Sequence, residues 1–255
     1  MITIKKKINL YMRDMMIENT ILCVKWGDKY DDEYVHKLKK QCMENCSVPF
    51  NFYCLTDNPI RDYDIQLPIY LDHHYIPSKN FFWAWRKCYM FSDDYVEGDR
   101  FLFLDLDVII HQDLKYFFEL SMDKPWIVRG WWNDMGTVKK NYARYKSTPI
   151  NSSVIRWNRG QMKPVLQHVK DNAEVIFFTY PSLDNYFVHH WYDPWKDSGY
   201  LQGFPQGDIY SWYKGNIFPD DMEKNIFRED HKVCLFNNSG FTEGENDEKR
   251  IFIYA

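Results

Sequence analysis

Asp105 and Asp107 follow the apolar run Phe101-Leu102-Phe103-Leu104, with Leu106 between them. In an extended chain, residues two apart point the same way, so this spacing puts both carboxylates on one side. Two neighbouring acids repel unless a proton or a cation resolves the repulsion. A hard divalent ion such as Mn²⁺ or Mg²⁺ suits all-oxygen ligation. Such an ion can bridge a diphosphate and offset the charge that develops as a nucleoside diphosphate departs. Val108-Ile109-Ile110 comes next, so the acids interrupt a hydrophobic stretch.

The elements around this pair follow from periodicity. Residues 21–25 (ILCVK) read as a first strand and Trp26 to Tyr30 as a turn. Asp31 and Asp32 can open a helix at its positive end, and that helix carries Val35, Leu38, Cys42 and Cys46 on one face. Residues 50–55 (FNFYCL) form a second strand, closed by Thr56-Asp57-Asn58-Pro59. A strand-helix-strand opening implies a parallel sheet, whose ligands gather beyond the carboxyl ends of the strands. Lys25-Trp26, Thr56-Asp57 and the Asp105/Asp107 pair all take that position.

A loop over 60–78 leads to a helix over 79–92, with Phe81, Trp85, Cys88 and Tyr89 on one side and Lys87 off that stripe. Asp113 to Leu120 reads as a short helix, Trp126 to Arg129 as a strand, and Trp131 to Thr148 as a mobile or acceptor-facing loop. Residues 152–157 (SSVIRW) form a strand, 161–171 and 182–192 form helices, and 232–236 (KVCLF) form a last strand. The stretch 193–231 is rich in Trp, Gly and Pro and carries no clear period. No repeat or low-complexity linker divides the chain, so 1–255 is read as one α/β domain with a Rossmann-like mixed sheet flanked by helices.

Composition narrows the function classes. The net charge of -4 gives no electrostatic reason to expect nucleic acid. Aromatic residues reach 18%, with ten Trp and nineteen Tyr, and flat rings suit sugars and bases as well as cores. The six cysteines fall mostly in strands and amphipathic helices and read as reduced core thiols. Cys42 and Cys46 lack a second Cys/His pair at zinc spacing. Lys5, Lys6 and Lys7 precede no apolar leader, and no run reaches the length of a membrane span, so a cytoplasmic location is expected. A phosphatase of the haloacid-dehalogenase type also ends a strand in Asp-x-Asp. It calls for Gly-Thr where this chain has Val108-Ile109, and for the acids near the start of the fold. Asp220-Asp221 could supply its late acidic pair.

Taken in order, CVKWGDKY (Cys23 to Tyr30), YCLTD (Tyr53 to Asp57), WAWRKCYMF (Trp83 to Phe91), FLFLDLDVII (Phe101 to Ile110), INSSVIRW (Ile150 to Trp157), SLDNYF (Ser182 to Phe187) and VCLFNNSG (Val233 to Gly240) resemble glycosyltransferases of the GT-A fold. The resemblance is strongest to the retaining family-8-type enzymes and their viral and bacterial relatives. It implies transfer of a sugar from a nucleoside-diphosphate sugar, UDP-linked in that family, to an acceptor hydroxyl of a glycan. It places Lys25, Trp26 and Tyr30 in the nucleotide pocket with Thr56 and Asp57. Lys87, with Arg86 beside it, corresponds to the cation that approaches the donor diphosphate or sugar. Asp105 and Asp107 correspond to the metal-binding acids, and Leu106 counts among the donor contacts. Asn151, Ser152 and Ser153 match the strand start beside the transferred sugar. Asp184 and Asn185 match the acid and amide that open a later helix near the reacting carbon.

The carboxyl-terminal part departs from that pattern. The family has His-x-x-Gly-x-x-Lys-Pro after its last strand, and Asn237 takes the His position here while the Lys and Pro are missing. The metal site would then be two acids with Asn237 or waters, or His231 would step in from just upstream. The stereochemical outcome stays open. An inverting enzyme needs a general base, for which Asp184, Asp134 and His189 all qualify by type. His189 and His190, being adjacent on a helix, point apart and do not form a joint metal site. A non-catalytic sugar- or nucleotide-binding protein on the same scaffold is the alternative of a different class.

Overall fold

The computed structural model describes residues 18–67, 85–121, 123–144 and 148–237. Seven strands form the main sheet. They are β1 (Asn19–Lys25), β2 (Asn51–Thr56), β3 (Asp64–Gln66), β4 (Arg100–Leu104), β6 (Trp126–Arg129), β7 (Ile150–Asn158) and β10 (Gln202–Gly203), in the order β10-β6-β7-β4-β1-β2-β3. β4, β1, β2 and β3 run parallel, whereas β7 is antiparallel to both β4 and β6. The strand-helix-strand reading of the first residues therefore holds. Helix α1 (Asp32–Glu44) begins where Asp31 accepts a hydrogen bond from Glu33 N, and it buries Val35, Leu38 and Cys42.

Both faces of the sheet are buried, which explains the unbroken apolar runs. Leu22, Phe101 and Phe103 enter one core layer with Trp85, Tyr89 and Trp157. Ile21, Cys23, Leu102 and Leu104 enter the other with the α1 stripe. Each fully buried side chain of this kind contributes about 1.5–3 kcal/mol. The stacked pair Phe101–Trp157, with centroids 5.3 Å apart, ties β4 to β7.

A second sheet sets β12 (Val233–Leu235) between β11 (Ile209–Ser211), parallel, and β5 (Val108–Ile110), antiparallel. It brings the end of the described chain back to the Asp105–Asp107 segment. The remaining pieces are the hairpin of β8 (Tyr192–Asp193) and β9 (Ser198–Gly199), and helices α2 (Lys115–Glu119), α3 (Met135–Asn141), α4 (Lys163–Asp171), α5 (Ala173–Thr179) and α6 (Leu183–His190).

Several expectations are corrected. The described part of the expected 79–92 helix, Arg86–Phe91, is a tighter 3-10 helix, and Phe81 and Trp83 lie outside the described residues. Every residue of that run is buried except Lys87. The expected loop after Trp131 contains α3, and α5 was not anticipated. Asp105 to Asp107 form a turn between β4 and β5 and not an extended segment. Their proximity comes from that turn, and the period-two argument does not apply to it.

Candidate active site

The parallel strands β1, β2 and β4 deliver Lys25, Thr56 and Asp105 to one edge of the sheet, with Lys25 and Thr56 in register. Lys87 reaches Asp105 from the 3-10 helix. Its Nζ lies 2.8 Å from Oδ2, 2.7 Å from Oδ1 and 3.3 Å from the Ser152 carbonyl. Asp107 accepts a 2.8 Å hydrogen bond from the Tyr30 hydroxyl. Burial, then the charge of Asp105, pushes the Asp107 carboxyl up to about 6, against the pull of Tyr30, Lys29 and Lys87.

A break in β7 builds the next part. β6 pairs Ile127 with Ile155, then jumps to pair Val128 with Asn151. Ser152 and Ser153 are thereby released from the β6 ladder, as bulges allow. The Ser153 carbonyl accepts from Asp105 N at 2.8 Å. Ser152 N donates to Asp184 Oδ1 at 2.9 Å, and Asn151 Nδ2 lies 3.5 Å from Oδ2. Asn151 Oδ1 accepts from Ser153 N at 2.9 Å. Asp184 sits in the first turn of α6, which Ser182 caps through Asn185 N, and Ser182 also donates to Asn185 Oδ1 at 2.6 Å. Burial raises the Asp184 carboxyl above its ordinary value, opposed by the Ser152 hydrogen bond and by Lys87.

The turn after β1 faces the turn after β2. Gly27 N donates to both oxygens of Asp57, at 3.3 and 3.1 Å, from a left-handed backbone with φ 62° that favours glycine. Thr56 is buried, and its hydroxyl accepts from Asn58 N. Lys25 pairs with Asp32 at 3.6 Å. The buried Arg86 lays its guanidinium 3.1 Å from the centre of the Trp26 ring. One Trp26 face is therefore taken by a cation.

Asn237 arrives next to the acids because Phe236 N donates to the Asp107 carbonyl at 3.2 Å. Its Oδ1 accepts from Ser211 Oγ at 2.6 Å. The sequence contains no signal for this role of Ser211, because the contact crosses 26 residues.

Four further expected residues are placed as follows. Leu106 is a core side chain, 2% exposed, so any donor contact there falls to its backbone. His231 sits at the opposite end of β12 from Asp107, against Tyr210 and Asp230. Asp134 is an exposed cap of α3 that accepts from Gly136 N and Thr137 Oγ1. His189 stacks on Tyr142 at 4.2 Å between ring centres. The carboxylate of Asp221 is engaged by Arg228 and Asn216. Ser239, Gly240 and the residues after them lie outside the described part.

Among the described residues, no three His, Cys, Asp or Glu side chains are grouped to hold a metal. Asp105, Asp107 and the Asn237 amide nevertheless form an oxygen-only set suited to Mn²⁺ or Mg²⁺. Burial first and the Asp105 charge second lift Asp107, and a divalent cation would offset both. The residues present therefore fit the group.

Comparison with solved structures defines the class of fold. The chain is similar to the galactosyltransferase LgtC in complex with donor and acceptor sugar analogues, with TM-score 0.55 and 11% identity, over 92% of this chain and 95% of that one. It is similar to a glycosyltransferase involved in glycosylation of the major capsid of PBCV-1, with TM-score 0.57 and 15% identity, over 93% and 100%. It is also similar to mouse xyloside xylosyltransferase 1, with TM-score 0.54 and 12% identity, over 87% and 98%. Neither a protein-family model nor a curated protein sequence matches the chain. The architecture is the GT-A glycosyltransferase fold. Among the described residues, no helix is long and apolar enough to cross a membrane.

Proposed function

We propose that this chain is a metal-dependent glycosyltransferase that moves a sugar from a nucleoside-diphosphate donor, UDP-linked, to a glycan hydroxyl with retention of configuration. The observation that carries this reading is the joining of three units at one edge of a GT-A sheet. These are Lys87 with Asp105, Tyr30 with Asp107, and Asp184 with Ser152. The family-8-type assignment and a cytoplasmic location belong to the same proposal.

Asp105, Asp107 and Asn237 would hold Mn²⁺ or Mg²⁺, which supplies charge for the diphosphate when bound. Lys25, Trp26, Tyr30, Thr56 and Asp57 frame the nucleotide. Asn151, Ser153, Asp184 and Asn185 face the sugar, where short polar groups can bond its hydroxyls. In the retaining step the C1–O bond to the β-phosphate breaks and its electron pair stays on the phosphate oxygen. The acceptor oxygen bonds to C1 from the same face and its proton passes to that phosphate oxygen. Lys87 and Asp184, which accepts from the Ser152 N–H, fix the electrostatics around the bond being broken.

A second reading has one observation in its favour. Lys87 already neutralises both oxygens of Asp105, so the site can stand without a metal and bind a sugar nucleotide without turning it over. A screen of UDP- and GDP-sugars for nucleoside diphosphate release, with NMR of the product anomer, separates the two. Release with Mn²⁺ and a retained anomer supports the transferase; donor binding without release supports the second reading.

A further inference from the structure

Lys214 has no part in the reading above, yet it is built into the same edge of the fold. It lies in the turn that follows β11. Ser211 and Gly215 close that turn with reciprocal backbone hydrogen bonds, Ser211 N to Gly215 O at 3.0 Å and Gly215 N to Ser211 O at 2.9 Å. Lys214 N donates to Ser211 Oγ at 3.1 Å. Gly215 has φ 87°, and a side chain there would meet the Met222 backbone at 2.8 Å, so the turn is wedged in place. The Ser211 hydroxyl that holds the turn also donates to Asn237, one residue beyond the Phe236–Asp107 link.

Lys214 is half-buried, which works against its charge, and Asp184 lies within electrostatic range and favours it. Among the described residues, its ammonium makes no direct hydrogen bond or ion pair. A partly desolvated cation that no direct ion pair satisfies is costly. Lys87 is in the opposite condition, its ammonium spanning both oxygens of Asp105. Of these two cations, Lys214 is the one whose ammonium has no direct partner among the described residues, on a turn that Ser211 ties to Asn237.

We propose that Lys214 is a diphosphate-binding residue of the donor site, contacting the β-phosphate of the nucleoside diphosphate. The inference rests on the transferase reading and adds a residue to it. A charge-assisted hydrogen bond lost here weakens binding by about 10- to 100-fold.

The test compares uridine and UDP binding by calorimetry in the full chain with Mn²⁺, for the wild type, Lys214→Met and Lys214→Arg. Lys214→Met is expected to lose that factor for UDP and to keep its affinity for uridine, and Lys214→Arg to recover most of the loss. Equal UDP affinity in the wild type and Lys214→Met overturns the proposal, and so does equal weakening of UDP and uridine, which marks a structural role. Should Lys214→Met fail to fold, Lys214→Gln carries the same comparison. A wild type that binds neither uridine nor UDP overturns the transferase reading itself, which distinguishes that failure from the failure of Lys214 alone.

Discussion

Lys87 Nζ spans both carboxylate oxygens of Asp105, at 2.7 and 2.8 Å, and touches the Ser152 carbonyl at 3.3 Å. A single ammonium thus joins the 3-10 helix, the turn after β4 and the break in β7. Both partners are well shielded, with side-chain exposures of 15% and 21%. Lys87→Met is expected to leave Asp105 without its counter-charge beside Asp107. Denaturant unfolding should show a loss of about 1–3 kcal/mol. Sugar transfer should fall by about 100-fold or more, since the cation is lost where charge develops.

Asp184 allows stability and chemistry to be separated. Its Oδ1 accepts from Ser152 N, and an asparagine amide oxygen can do the same. Asp184→Asn is therefore expected to fold with nearly wild-type stability and to lose transfer. Asp184→Ala strands Ser152 N and should cost about 1–3 kcal/mol in the same unfolding measurement. Equal stability of the two variants would show that the Ser152 bond contributes nothing.

Acid sensitivity follows from three histidines. Burial lowers His111, His189 and His190 below the ordinary imidazole value. With the folded value depressed, their stability contribution is complete above the unfolded value of about 6.5 and is lost as pH falls through the folded one. The raised carboxyls of Asp107 and Asp184 act in the opposite sense, so the variant comparison isolates the histidine. His111→Gln should flatten the decline of the urea midpoint between about pH 6.5 and 5 relative to the wild type.

Trp26 and Arg86 make a further prediction. The guanidinium covers one face of the indole at 3.1 Å. Trp26→Ala is expected to weaken UDP binding through the turn it supports, by about tenfold. Measurement of uridine binding in the same variant should show the same loss, because the turn frames the nucleoside and not the diphosphate.

Much of this organisation could be read from residues. β1, β2 and β4 are continuous apolar runs because both sheet faces are covered, and α1 shows its Val35-Leu38-Cys42 stripe. α5 escaped because Val175 and Phe178 are exposed apolar residues, so AEVIFFT has no polar face to reveal a helix. β8, β9 and β10 are two residues each, too short to carry a period. The site residues Lys87, Asn151 and Asp184 were found through the resemblance, but the bonds that join them cross 18 to 65 residues and have no local signature. Lys214 sits in an aromatic-rich stretch without any pattern, and only the turn that ties it through Ser211 to Asn237 marks it.

Calorimetric titration of UDP into the wild type and Asp107→Ala, with Mn²⁺ and then with chelator, tests the central claim most directly. The account predicts that UDP binds the wild type with Mn²⁺, and that binding collapses with chelator and in Asp107→Ala. UDP binding that is indifferent to both metal and Asp107, or no binding of UDP at all, would contradict it.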